Sequence, residues 1–159
     1  MSDKTVTINI VSHWNSDKVL FSADVDASIG ERYRLRAALE MGVKRGASLS
    51  DADLRGADLS WAYLSGADLG DDLKLLGDRP YFQLGPIGSE SRTFEAFITN
   101  QGLRLQTGCF FGTRDEFVER LNQTHGDNIH AYEYTAALVL IDAHVERWTP
   151  EYESKEDAA

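Results

Sequence analysis

Residues 47–71 read ASLSD ADLRG ADLSW AYLSG ADLGD, one five-residue phrase written five times. Alanine stands at Ala47, Ala52, Ala57, Ala62 and Ala67, and leucine follows two places later at Leu49, Leu54, Leu59, Leu64 and Leu69. A period of five matches neither the 3.6-residue turn of a helix nor the two-residue alternation of a strand. A small residue and a leucine at fixed places in every unit mark two inward positions of a repeating backbone.

The phrase resembles the pentapeptide-repeat proteins. That resemblance implies a right-handed β-helix with four units to each square turn. The leucines stack along the axis, and only a small side chain fits beside them, which accounts for the alanines. It places Asp53, Asp58 and Asp68 at corners, where a carboxylate can satisfy local backbone donors. Ser50, Arg55, Ser60, Trp61 and Ser65 are left facing solvent. So short a coil cannot bury its own ends and needs caps above and below. Overpacking by Ala57→Leu is expected to disrupt it.

The flanks supply both caps. TVTINIV (5–11) alternates Val6, Ile8 and Ile10 with polar residues, HWNSDK (13–18) holds turn formers, and VLFSADV (19–25) alternates again. This is a hairpin over 5–25. Ser28 and Glu31 have capping-box spacing, opening a helix over 29–44 with Leu35, Ala38, Leu39 and Gly42 inward. Residues 1–46 thus form a hairpin-helix cap on the coil at 47–71. Beyond the coil, 81–88, 92–102 and 103–112 read as three strands, the last two joined at Asn100-Gln101-Gly102. Thr113 and Glu116 form a second capping box before a helix 114–124 with Phe117, Val118 and Leu121 inward, closed by Gly126. Asp127 or Asn128 caps a longer helix to Trp148, ahead of Pro150. The expected fold is α+β: a short repeat coil, the hairpin-helix cap, and a C-terminal unit at 79–148 with a three-stranded sheet and two helices. An acidic tail occupies 149–159.

The order of the pentapeptide stretch, YFQLGPIGS, GCFFGTRDEF, THGDN and a helix ending AHVERW is similar to the small pentapeptide-repeat proteins of bacteriophages and prophages. This implies a phage or prophage origin and a host bacterial cytoplasm as the setting. It implies no activity for particular residues.

The net charge is −10, and residues 121–159 carry 2 basic against 8 acidic groups. Direct binding of nucleic acid or anionic lipid needs a basic patch, so neither is expected. No apolar run is long enough for a membrane span, and no secretory signal opens the chain. A single cysteine, Cys109, forms no internal disulfide, which fits a reducing compartment. It lies between Gly108 and Phe110 in a strand pattern, where a buried, inert thiol is expected.

Chemistry is sparse. His125, His130 and Glu133 are near one another but match no metal-site spacing, so neither metal nor cofactor is expected. No nucleophile elbow, Walker loop or dinucleotide fingerprint occurs, so no catalytic residue is assigned. The loop GPIGS (85–89) is the candidate ligand site. Gly85 and Gly88 permit unusual backbone, Gly88 and Ser89 can offer donors to an anion, and Arg92 and Arg104 are near in sequence.

These features point to a non-enzymatic binding protein that occupies or inhibits a host macromolecule such as a defence component. A sequestering protein for an anionic nucleotide is the alternative. An acidic mimic of DNA is the third reading, though five units span only roughly 6 Å at β-strand spacing. A homodimer or higher oligomer is expected because a single-turn coil leaves leucines at its ends.

Overall fold

The computed structural model describes residues 4–151, so most of the acidic tail lies outside the described residues. The described residues form a mixed α+β fold with three helices and two sheets. The first sheet is the hairpin of β1 (Thr5–Val11) and β2 (Val19–Asp26), paired antiparallel from Thr5↔Asp26 to Val11↔Val19. Its inward residues, Ile10, Ala23 and Val25, pack on α1 (Glu31–Lys44) through Ala38 and Leu39. The helix starts two residues later than the sequence suggests. Ser28 does not cap it, because Asp26 closes the preceding turn by accepting from the Ser28 amide at 2.7 Å. Gly30, in an extended conformation, is the N-cap and offers no side-chain bond.

Across 47–71 the period of five appears as a turn in the first four of the five units. Leu49, Leu54, Leu59 and Leu64 each accept at their carbonyl from the amide three residues on, at 3.0, 3.3, 3.0 and 3.1 Å. The third residue of each turn is left-handed: Asp51, Gly56, Trp61 and Gly66 have φ of 62°, 71°, 62° and 84°. These are type II turns, which require a positive φ at that place. Hence the corners are 50–51, 55–56, 60–61 and 65–66, not Asp53, Asp58 and Asp68. Those aspartates flank the corners and accept from the amide two residues on, at 3.2 Å to Arg55, 3.2 Å to Ser60 and 2.8 Å to Gly70. Asp58, bonded by Ser60 and Arg32, is held down at about 2. Leu49, Leu54 and Leu64 are buried, whereas Leu59 and Leu69 are half-buried. Of the alanines, Ala52, Ala62 and Ala67 are buried, and Ala57 is only half-buried.

One circuit closes. Ser48 pairs with Asp68 as a parallel bridge, and the Leu49 amide donates to the Asp68 carbonyl at 2.7 Å. The two positions are twenty residues apart, four units of the phrase. No longer strand forms in this segment. The chain then turns back at Gly70–Leu73, so Lys74 runs antiparallel to Asp68 rather than into a sixth unit. The end of β1 covers the circuit elsewhere, with Ser12 bridging Ala52 and the Asp53 amide donating to Val11 at 2.9 Å. Three side chains one helical turn apart on α1 reach the coil: Arg32 pairs with Asp58, Arg36 donates to the Ser60 carbonyl at 2.8 Å, and Glu40 accepts from the Tyr63 amide at 2.9 Å. These contacts cover part of the coil within the chain, while Leu59 and Leu69 stay half-buried.

The second sheet has four strands, not three: β3 (Tyr81–Ile87), β4 (Arg92–Thr99), β5 (Gly102–Thr107) and β6 (Phe110–Gly112), in the order β3-β4-β5-β6. The stretch read as one strand over 103–112 breaks at Gly108, whose φ of 53° makes a tight turn with Cys109. Cys109 is consequently exposed at a hairpin tip rather than buried. Strand alternation gives the sheet two working faces. Phe94, Ala96, Leu105 and Phe110 face α2 (Arg114–His125) and α3 (Ile129–Trp148), meeting Phe117, Leu121, Tyr134, Leu138 and Ile141. Tyr81, Glu95, Phe97, Gln106 and Phe111 fall on the opposite face by register, and Phe97 and Tyr81 join the core of the repeat. Gln83 ties repeat to sheet, accepting from the Gly56 amide at 3.1 Å and donating to the Ala57 carbonyl at 3.0 Å. The Thr113–Glu116 capping box forms on α2, and Asn128 caps α3 by accepting from His130 and Ala131 at 3.0 Å.

Glu95 is the buried charge of this interface, 1% exposed. One carboxylate oxygen accepts from the Tyr81 hydroxyl at 2.7 Å and the other has no partner. Burial pushes its carboxyl up to about 7, against the pull of Tyr81 and Arg55. A carboxyl whose folded value lies above its unfolded value costs nothing while protonated in both states. Its penalty grows as pH rises from about 4.5 to about 7. The Glu95→Gln variant is expected to lose this dependence. Urea unfolding at pH 5 and pH 8 should show the difference between variant and wild type moving by about 2–3 kcal/mol in the variant's favour.

Candidate functional site

Three surface features converge polar or apolar side chains in ways the core does not need. The first is a groove of about 150 Å³ beside the GPIGS loop, between the β5–β6 tip and α2. Ser89 and Arg92 line it, joined by Arg120 and His125 from α2 and by Cys109. Arg92 is paired with Glu90 at 2.5 Å. Arg120 lies over the Phe110 ring at 5.8 Å and 3.9 Å from the Cys109 sulfur. Arg120 has no ion pair among the described residues.

The other sequence candidates are placed differently. The Gly88 amide already donates to the Glu133 carboxylate on α3. A side chain at Gly88 would collide with Tyr134, whose hydroxyl is 2.0 Å from where a Cβ would stand. Gly85 packs against the Arg92 carbonyl, 2.9 Å from its own missing Cβ. Arg104 folds back onto the carbonyls of Gln101 and Leu103 at 3.0 and 3.2 Å, on the far hairpin. Of the five candidates, then, the groove collects Ser89 and Arg92 alone. Arg120 was missed because it lies 28 positions along the chain, and only the four-stranded sheet brings it back. Arg79 also has another occupation. Its guanidinium is sandwiched between Trp61 at 4.5 Å and Trp148 at 4.3 Å, fastening the repeat to the end of α3. His144 adds to this seam, bonding the Arg79 carbonyl at 2.9 Å and stacking on Phe82.

The second feature is the outer face of α3. Its inner stripe is buried in the core, but Ile129, Tyr132, Val139 and Leu140 are 77, 78, 67 and 53% exposed. Ala136 and Ala143 are exposed between and after them. The spacing 129, 132, 136, 139, 143 is the three-four alternation of a helix that packs on another surface. Its one exposed charge among these turns, Glu133, is engaged with the GPIGS loop. Sequence reading located the helix but not this face, because apolar residues on both sides blur the amphipathic signal.

The third feature is a cavity where the repeat meets the sheet, described below. Among the described residues, no group of three or more His, Cys, Asp or Glu side chains could hold a metal ion, and no helix is long and apolar enough to cross a membrane. Residues 45–71 match the family model for pentapeptide repeats (8 copies), which establishes a pentapeptide-repeat segment in this chain. No curated protein and no solved structure matches the sequence.

Proposed function

We propose that the chain is a non-enzymatic binding protein of phage or prophage origin. In this reading it works in the bacterial cytoplasm by occupying a host protein, and 47–71 is one turn of a right-handed β-helix serving as scaffold. The observation that carries the reading is the exposed apolar stripe on α3. Large apolar side chains in a continuous helical row favour burial against a partner, in the helix-in-groove mode. Charge agrees, since a net −10 favours a basic partner surface.

The test uses a paired variant, Tyr132→Glu with Val139→Glu. Both sites are exposed, so folding should be unchanged by circular dichroism, while capture of a host protein by the immobilised chain should fall at least about tenfold. Undiminished capture would sink the α3 assignment. Light scattering at micromolar concentration addresses the second copy as occupant: a dimer in the wild type that the paired variant dissolves would assign the stripe to self-association.

One further observation favours a different reading. Arg92 and Arg120 flank the same groove, as an anionic ligand such as a nucleotide would require. Calorimetry against a nucleotide panel, with Arg120→Ala as control, separates that reading from the first.

A further inference from the structure

A cavity of about 110 Å³ lies between the repeat, the β1–β2 connection and the lower face of the sheet. Its floor is apolar, built by Leu54, Leu69 and Leu73. Trp14 and Phe111 line it from positions that are 53 and 44% exposed. Asp51 and Asp71 line it as well, each at a left-handed residue of its unit, with φ of 62° and 50°. Gln106 enters from β5. The residue is 6% exposed, and its side-chain amide lines the cavity without a hydrogen bond to the described residues. An amide that lines a cavity with its donors and acceptor free can bond a ligand there.

The lining selects the ligand. Two carboxylates oppose an anion. Two aromatic side chains in the lining favour a cation over an anion. A leucine floor accepts an aliphatic stem beneath a polar head. The space is well below the several hundred Å³ of a drug-sized pocket and suits one side chain. A primary ammonium brings three donors, and Asp51, Asp71 and the Gln106 amide oxygen supply acceptors of three separate groups. A guanidinium fits less well. It prefers both oxygens of one carboxylate, and one oxygen of Asp51 already accepts from the Trp14 indole at 3.1 Å. We propose that this cavity receives a lysine side chain presented by a partner protein. The net charge of −10 draws such a basic surface in. The site is separate from the outer face of α3, so the two readings can fail independently.

Nuclear magnetic resonance on the full chain tests this with a blocked peptide, Gly-Gly-Lys-Gly-Gly, as probe. The peptide should shift the Trp14 indole and Gln106 side-chain amide signals, and its Nζ-acetylated form should not. The Asp51→Asn and Asp71→Asn variants keep a residue that tolerates the left-handed backbone. Each should weaken the peptide by about tenfold, the worth of one charge-assisted hydrogen bond. The paired α3 variant should bind it unchanged. The assignment is overturned if the lysine peptide shifts neither signal, if the acetylated peptide or an arginine peptide binds as well, or if both asparagine variants bind normally. A free diamine, 1,5-diaminopentane, that binds as tightly as the peptide or more so would overturn the protein source.

Discussion

The Gly88→Val variant is expected to unfold roughly 10 °C below the wild type in a thermal melt, within a range of about 4–20 °C. Two costs add. Gly88 has a φ of 80°, where a β-branched residue is strained by roughly 1–2 kcal/mol. A Cβ there would also stand 2.0 Å from the Tyr134 hydroxyl and 2.4 Å from its ring carbon. Tyr134 is 8% exposed and packed among Phe94 and Phe117, so it has little room to retreat. Overpacking of this kind costs about 1–3 kcal/mol more, and each kcal/mol lowers the midpoint of a chain this size by about 2–4 °C. The same contact disqualifies Gly88→Val as a probe of ligand binding, since it would act through the loop's docking on α3. A melt within about 2 °C of wild type would mean that the loop is not seated on Tyr134.

The second large effect belongs to the repeat. Leu64→Ala should cost about 2–5 kcal/mol in urea unfolding, the range for emptying a buried leucine site. Leu64 is 3% exposed and lies in the core shared with α1, β2 and Phe97. Leu59→Ala, at a half-buried unit of the same phrase, should cost clearly less. Similar losses at both would mean that the five units are not differentiated by the caps. The structure also moves the overpacking test. Ala57 is half-buried, so Ala57→Leu has somewhere to go, whereas Ala67 at 1% exposure does not.

Much of this architecture is legible in the residues, and what is not has physical causes. The five-residue period gives the turns and the inward positions because both are local and repeat in register. The Thr113–Glu116 box, the Asn100-Gln101 hairpin and the Gly126 stop are likewise decided within a few residues. The corners were displaced because the aspartates do bond the backbone, but from beside the turn rather than within it. The leucine two places before each left-handed residue, not the aspartate, opens the turn. Trp61 shows the limit of local reasoning. A bulky aromatic residue holds a corner where two other units use glycine, and its ring covers one face of Arg79. Ser28 does not cap because it still belongs to the turn that Asp26 closes, and the helix opens two residues later behind Gly30. The split at Gly108 depends on one glycine adopting positive φ, which composition permits and only the folded sheet requires.

The candidate sites were the least legible. Arg92 and Arg120, or Trp14 with Asp71 and Gln106, meet only through long-range closure, and no local pattern announces them. The stripe on α3 is periodic, yet it shares its helix with a second apolar stripe. Its exposure depends on which side the sheet takes.

The central structural claim is that the five-residue phrase closes on itself after twenty residues, with Ser48 beside Asp68 and the Leu49 amide on the Asp68 carbonyl. Amide hydrogen exchange with through-space nuclear magnetic resonance contacts tests it most directly. The Leu49 amide, donating to the Asp68 carbonyl at 2.7 Å, should exchange slowly and show contacts to Asp68 and Leu69. Fast exchange at Leu49, with contacts confined to residues within a few positions along the chain, would contradict the closed circuit.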